Sequence, residues 1–127
     1  MLFSATALAQ VAVMDRSIEK EVVVDASLDD VWKAWTTNEG AHTFFSSHTN
    51  IYPKLGAPYE IYFGPDQPYG KQGTEGCRIH SLVPRKLLAF TWNAPPQFPN
   101  IREPELHTIV YLRFEELGPR KTKVRFS

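Results

Sequence analysis

One cysteine, Cys77, stands in a chain of 127 residues. With one thiol no internal disulfide can form, and a cysteine-based zinc site is excluded. Neither sign of charge is in excess: 14 Lys and Arg face 14 Asp and Glu, for a formal net charge of +0. Without a basic field to hold a phosphate backbone, nucleic acid is not an expected partner. The apolar stretch Met1 to Ala9 is too short to span a membrane, so no membrane span is expected. Catalytic patterns are also missing. His42, His48, His80 and His107 form neither HExxH nor an i, i+4 pair, there is no GxSxG, and Gly70 to Gly76 holds no GKS or GKT. Glu115 and Glu116 are adjacent in a strand pattern and point to opposite faces, so they cannot act as a pair. No catalytic residue, metal or cofactor is expected.

Residues 1–13 differ in character from the rest of the chain. Ala7-Leu8-Ala9 matches the small-x-small pattern before a signal-peptidase cut, yet a basic n-region is missing. Three readings stay open for this segment: the remnant of a signal peptide, an extension upstream of a start at Met14, or an ordered element. The first would make the protein periplasmic or secreted, the others cytoplasmic. Residues 14–127 read as one domain, long enough to bury a core without staples.

Aromatic residues are plentiful, at 13 %. The run Ile18 to Val24 reads as the core of a first strand over 17–25, with Ile18, Lys20, Val22 and Val24 on one face. Ser27 is a good N-cap, with Asp30 placed as the acidic partner of a capping box. Leu28, Val31, Trp32 and Trp35 then recur at helical spacing. A second short helix is expected over Asn38 to Phe45. A weak strand over Thr49 to Pro53 and a better one over Pro58 to Phe63 come next, then a loop over Gly64 to Gly73. Further strands are expected over Gly76 to Val83, Lys86 to Asn93, His107 to Glu115 and through Thr122, Val124 and Phe126. The strand around Leu88, Ala89 and Phe90 is apolar on both faces, as in a strand covered on both sides. Ala94 to Glu105, with four prolines, reads as a stiff extended loop.

Strand, helix, short helix and six strands joined mainly by short turns make an α+β, antiparallel fold with the helices to one side. The series Ser17 to Val24, the helix with its Val31-Trp32-x-x-Trp35 core, Leu82 to Trp92, Thr108 to Leu117 and Lys121 to Phe126 resembles the START-like (SRPBCC), helix-grip superfamily. More narrowly it is similar to the branch named after the activator of the 90-kilodalton heat-shock-protein ATPase. The resemblance implies a curved antiparallel sheet of about seven strands gripping a long C-terminal helix, with a cavity between them that takes an apolar ligand in many relatives. No such helix follows Phe126 in the sequence, so the expectation is a domain truncated at its C-terminus, or one whose sheet is covered by a partner chain or by self-association.

Candidate cavity residues are Trp35, Phe44, Phe45, Tyr59, Ile61, Phe63, Phe90, Trp92, Val110 and Leu112 as apolar wall. Core packing is the plainer account of any one of them. Arg78 and His80 share a face two residues apart. If that face lines a cavity they can hold a carboxylate or carbonyl; if it faces water they are a solvated edge. Thr91 and Asn93 are candidates for its mouth. His80 and His107 can approach only if their strands pair. Cys77 reads as a small buried strand residue. The favoured function is non-catalytic binding of a small hydrophobic molecule. Co-chaperone-like stimulation of a heat-shock ATPase and a polyketide cyclase- or hydrolase-like activity are the alternatives.

Overall fold

The computed structural model describes residues 17–127, so the expectations for residues 1–13 lie outside the described residues. The elements run β1 (Lys20–Val24), α1 (Leu28–Thr36), α2 (Asn38–His42), β2 (Thr49–Ile51), β3 (Tyr59–Ile61), β4 (Ile79–Val83), β5 (Leu87–Trp92), α3 (Pro99–Arg102), β6 (Thr108–Gly118) and β7 (Lys121–Phe126). The expected seven strands are present, in an antiparallel α+β arrangement, but they divide into two sheets. Five lie in the order β1-β7-β6-β5-β4, and β2 pairs with β3. The Pro58–Arg78 bridge and the bonds from Tyr59 N–H to the Cys77 carbonyl (2.8 Å) and from Ile79 N–H to the Ala57 carbonyl (2.9 Å) couple the two.

Register fixes which side chains share the inner face. Val22 lies opposite Val124, Phe114 opposite Val124, Leu112 opposite Phe126, Leu88 opposite Leu112, and Phe90 opposite Val110. Because side chains alternate along a strand, these pairs line one surface, and a slip of one residue would turn them all to water. Leu88, Ala89 and Phe90 are all buried, while Leu87 and Thr91, which share the outer face with Ala89, are half-buried.

Helix α1 covers the inner face of β6 and β7. The Asp30 N–H donates to Ser27 Oγ at 3.1 Å, which satisfies one orphan donor and is worth about 1 kcal/mol. Among the described residues no bond runs from the Ser27 N–H to the Asp30 carboxylate, so the box is one-sided; Asp29 carries the first turn's ion pair, with Lys33 at 3.0 Å. Val31 is buried, and Trp32 meets Phe114 edge-on with ring centroids 5.2 Å apart. Thr37 ends α1 and caps α2, accepting the Gly40 N–H at 2.9 Å. The helices pass so close there that a Cβ on Gly40 would lie 2.2 Å from the Lys33 carbonyl oxygen. Asn38 then ties α2 to β2, its Oδ1 accepting from Ile51 N–H (2.9 Å) and Thr49 Oγ1 (2.7 Å).

Two local expectations are corrected. Phe63 falls outside β3, in the bend beyond it, and is 56 % exposed. The proline-rich stretch 94–105 is not extended throughout: Pro99 opens the short helix α3, where its missing N–H costs nothing because a first-turn donor has no helical partner.

Candidate functional site

Trp35, at the end of α1, and the Phe44–Phe45 pair, in the turn after α2, are brought over the inner face of the sheet. Trp35 makes edge contacts with Phe44 (4.9 Å), Phe45 (5.1 Å) and Phe126 (5.8 Å). Phe45 lies 6.2 Å from Trp92 and 6.3 Å from Phe63, and Phe63 lies 6.4 Å from Trp92. Trp92 continues to Phe90 at 5.8 Å, and Phe90 stacks on Tyr59 at 4.1 Å. The rings therefore form one connected series, from a fully buried end to an open one. Tyr59 is 0 % exposed and Phe90 1 %, whereas Phe44 is 48 % exposed.

At the buried end Tyr59 donates its hydroxyl to the Trp35 carbonyl at 2.6 Å, one of the four that α1 leaves unpaired. Burial pushes its phenol far above the ordinary range, so this proton stays in place. Ile61 and Leu112 belong to the same closed core, and Val110 is half-buried beside them. At the open end Phe63, Trp92, Pro95 and Pro96, together with the polar Lys71, Gln72, Thr74, Asn93 and Gln97, line a groove of about 360 Å³ between the loop after β3 and the segment after β5.

The structure does not bring Arg78 and His80 to the rings. Ile79 is buried on the inner face opposite Phe90, so its neighbours project the other way, and a bulge between Ile79 and Ser81 inserts His80 as the extra residue. His80 contacts Ser81 Oγ (2.9 Å) and the Tyr111 ring, while Arg78 Nη1 donates to the Gly56 carbonyl at 3.0 Å. Thr91 Oγ1 accepts the Arg78 N–H at 2.9 Å, and Asn93 Nδ2 reaches the Glu75 carbonyl at 3.5 Å. β5 lies between β4 and β6, so the strands leading to His80 and His107 do not pair. Cys77 is buried, and burial raises its thiol above the ordinary value, against reactivity.

One charged cluster has no counterpart among the residues that sequence reasoning singles out. Glu75 and Arg102 pair at 3.0 Å with side chains only 4 % and 9 % exposed. The Glu75 carboxylate also accepts the N–H groups of Gly70, Gln72 (2.9 Å) and Gly73 (2.6 Å), a nest that suits an anion. Burial works against this charge, but those backbone donors outweigh it and hold the carboxyl below its ordinary value. Arg102 donates from Nε and Nη2 to the Gly70 carbonyl, and from Nη1 to those of Gly73 and Ala94 (both 2.8 Å). No local pattern marks either residue: Glu75 sits among glycines and Arg102 among prolines. Nearby, Glu60 accepts the Tyr62 hydroxyl and the Gly76 N–H (2.7 Å); burial and this carboxylate together raise the Tyr62 phenol.

The family model for activator of Hsp90 ATPase homolog 1-like protein matches residues 25–127. The chain belongs to this family. No curated protein matches it significantly. Among solved structures it is similar to a Mesorhizobium loti protein, with 18 % identity and a TM-score of 0.63 over 88 % of this chain and 76 % of that one. It is similar to the Aha1 dimer from Colwellia psychrerythraea, with 20 % identity and a TM-score of 0.59 over 86 % and 72 %. It is also similar to an HSP90 activator from Plasmodium falciparum, with 12 % identity and a TM-score of 0.60 over 87 % and 71 %. At these identities the likenesses establish the START-like fold that this family member shares.

Proposed function

We propose that this family member binds a small apolar, preferably aromatic, molecule against the inner face of its sheet. The observation that carries the proposal is the connected series of rings ending in Phe44 and Phe63, both about half exposed, beside the Trp92 groove. Aromatic rings in water are costly to leave uncovered, and a flat apolar ligand would bury them with offset or edge contacts worth about 0.5–1.5 kcal/mol per ring pair beyond the area term. Tyr59, Ile61, Phe90 and Leu112 would form the rigid floor, and Trp35, Phe44, Phe45, Phe63, Trp92 and Val110 the wall. Arg78 and His80 would play no part, because they project from the opposite face.

Native mass spectrometry of the intact protein, purified without detergent, tests the proposal. A co-purified apolar compound, lost on substitution of the wall, is the expected outcome. A protein that carries no adduct and takes up none from a panel of lipids and aromatic compounds would refute it. Stimulation of a heat-shock ATPase is a second reading, favoured by the family match alone. An ATPase assay with purified chaperone separates the two.

A further inference from the structure

Among the described residues, the segment 95–106 is hydrogen-bonded to other segments through one side chain. Its backbone bonds are local, as from Phe98 N–H to the Pro95 carbonyl (3.0 Å), Glu103 N–H to Pro99 (2.9 Å) and Leu106 N–H to Ile101 (3.3 Å). Its apolar residues do not anchor it either: Phe98, Ile101 and Leu106 are 49 %, 42 % and 60 % exposed. Among the described residues, every hydrogen bond and ion pair from this strap to another segment leaves the Arg102 guanidinium. All five of its N–H groups are engaged, so none is left for a ligand. The strap borders the groove that holds Phe63 and Trp92, contributing Pro95, Pro96 and Gln97.

We propose that Arg102 is a latch: it holds the 95–106 strap in place and with it Pro95, Pro96 and Gln97, the strap's side of the Phe63–Trp92 groove, so that release of the strap weakens binding there. This inference rests on the apolar-binding function proposed above. The mechanism follows from the two partners. Glu75 is kept ionised and fixed by the backbone N–H groups of its own loop, so the receptor for Arg102 is preformed. The guanidinium spans Gly70, Gly73 and Glu75 at once, which a point-like ammonium cannot do. Opening requires only that this one group withdraw, because no sheet ladder or buried apolar side chain of the strap has to be broken.

Hydrogen exchange of the intact protein, read peptide by peptide, tests the latch. In Arg102→Gln the amides of 95–106 should exchange at least about tenfold faster through a local opening, while those of β5 and β6 lose no more protection than the fall in global stability accounts for. Arg102→Lys should fall between, and Glu103→Gln, one residue away, should match the wild type. Unchanged exchange of the strap in both Arg102 variants would overturn the proposal. Equilibrium titration with anilinonaphthalene sulfonate tests the effect on the groove: affinity should fall in Arg102→Gln, and equal affinity with a freed strap would overturn that part of the proposal. If the probe binds neither protein, the apolar-binding function fails and so does the role in the groove, while exchange still decides the latch.

Discussion

Arg102 and Glu75 meet at 3.0 Å in an almost fully buried pair, 27 residues apart in sequence, and join the loop after β3 to the strap after β5. Removing one partner of such a pair leaves the other charged and under-solvated, which is worse than never having had the pair. Arg102→Met should destabilise the protein by about 3 kcal/mol, and Arg102→Lys should recover only part of this, because the ammonium loses the planar fork. Urea denaturation of the three proteins gives the comparison. A loss within about 0.5 kcal/mol, the usual range for an exposed site, would show that the pair contributes little.

The same pair makes stability depend on acid. The Glu75 carboxyl sits below its ordinary value of 4.5 in the folded protein. A group with a depressed folded pKa stabilises the fold while ionised; its contribution is complete above the unfolded value and is lost as pH falls through the folded one. The gap in stability between wild type and Glu75→Gln should therefore be constant from about pH 7 to about 5, and should narrow below 4.5. Denaturation midpoints at stepped pH measure it. A gap unchanged at about pH 3 contradicts the assignment.

Gly40 sets how the aromatic face is presented. Its missing Cβ lets α2 turn against α1, and an added methyl would meet the Lys33 carbonyl oxygen at 2.2 Å and the Ala34 Cα at 2.5 Å. Backbone on both sides cannot yield cheaply. Gly40→Ala should cost about 1–3 kcal/mol, in the range of overpacked sites. It should also alter the tryptophan fluorescence, because the turn that follows α2 sets Phe44 and Phe45 against Trp35. Gly56→Ala gives a contrasting case: open space surrounds that position, and its positive φ of 76° alone opposes the change.

Much of this architecture is legible in the sequence because it is periodic. The Val31-Trp32-x-x-Trp35 stripe, the two-faced apolar strand at Leu88 to Phe90 and the alternation through Thr122, Val124 and Phe126 each follow from burial on a regular element. The split of the strands into five and two is not legible, because pairing partners depend on long-range register rather than on local pattern. Phe63 continues the alternation of β3 yet lies beyond the strand, since alternation does not say where pairing stops. His80 shows a different limit: a bulge adds a residue without any mark in the sequence. Arg102 and Glu75 are invisible for a related reason. Their pairing depends on two irregular loops meeting, and residue spacing carries no record of that.

The aromatic face itself can be tested by titrating the wild-type protein and single substitutions with anilinonaphthalene sulfonate. Phe44 and Phe63 are suitable positions because their half exposure means that Phe44→Ser and Phe63→Ser disturb the core little. Tyr52→Ser, at a 61 % exposed aromatic outside the ring series, is the control. Saturable fluorescence enhancement in the wild type, weakened about tenfold by Phe63→Ser and by Phe44→Ser and unchanged by Tyr52→Ser, is the predicted result; a tenfold loss is about 1.4 kcal/mol, one lost ring contact. Binding that is absent in the wild type, or equally strong in all four proteins, would contradict the account.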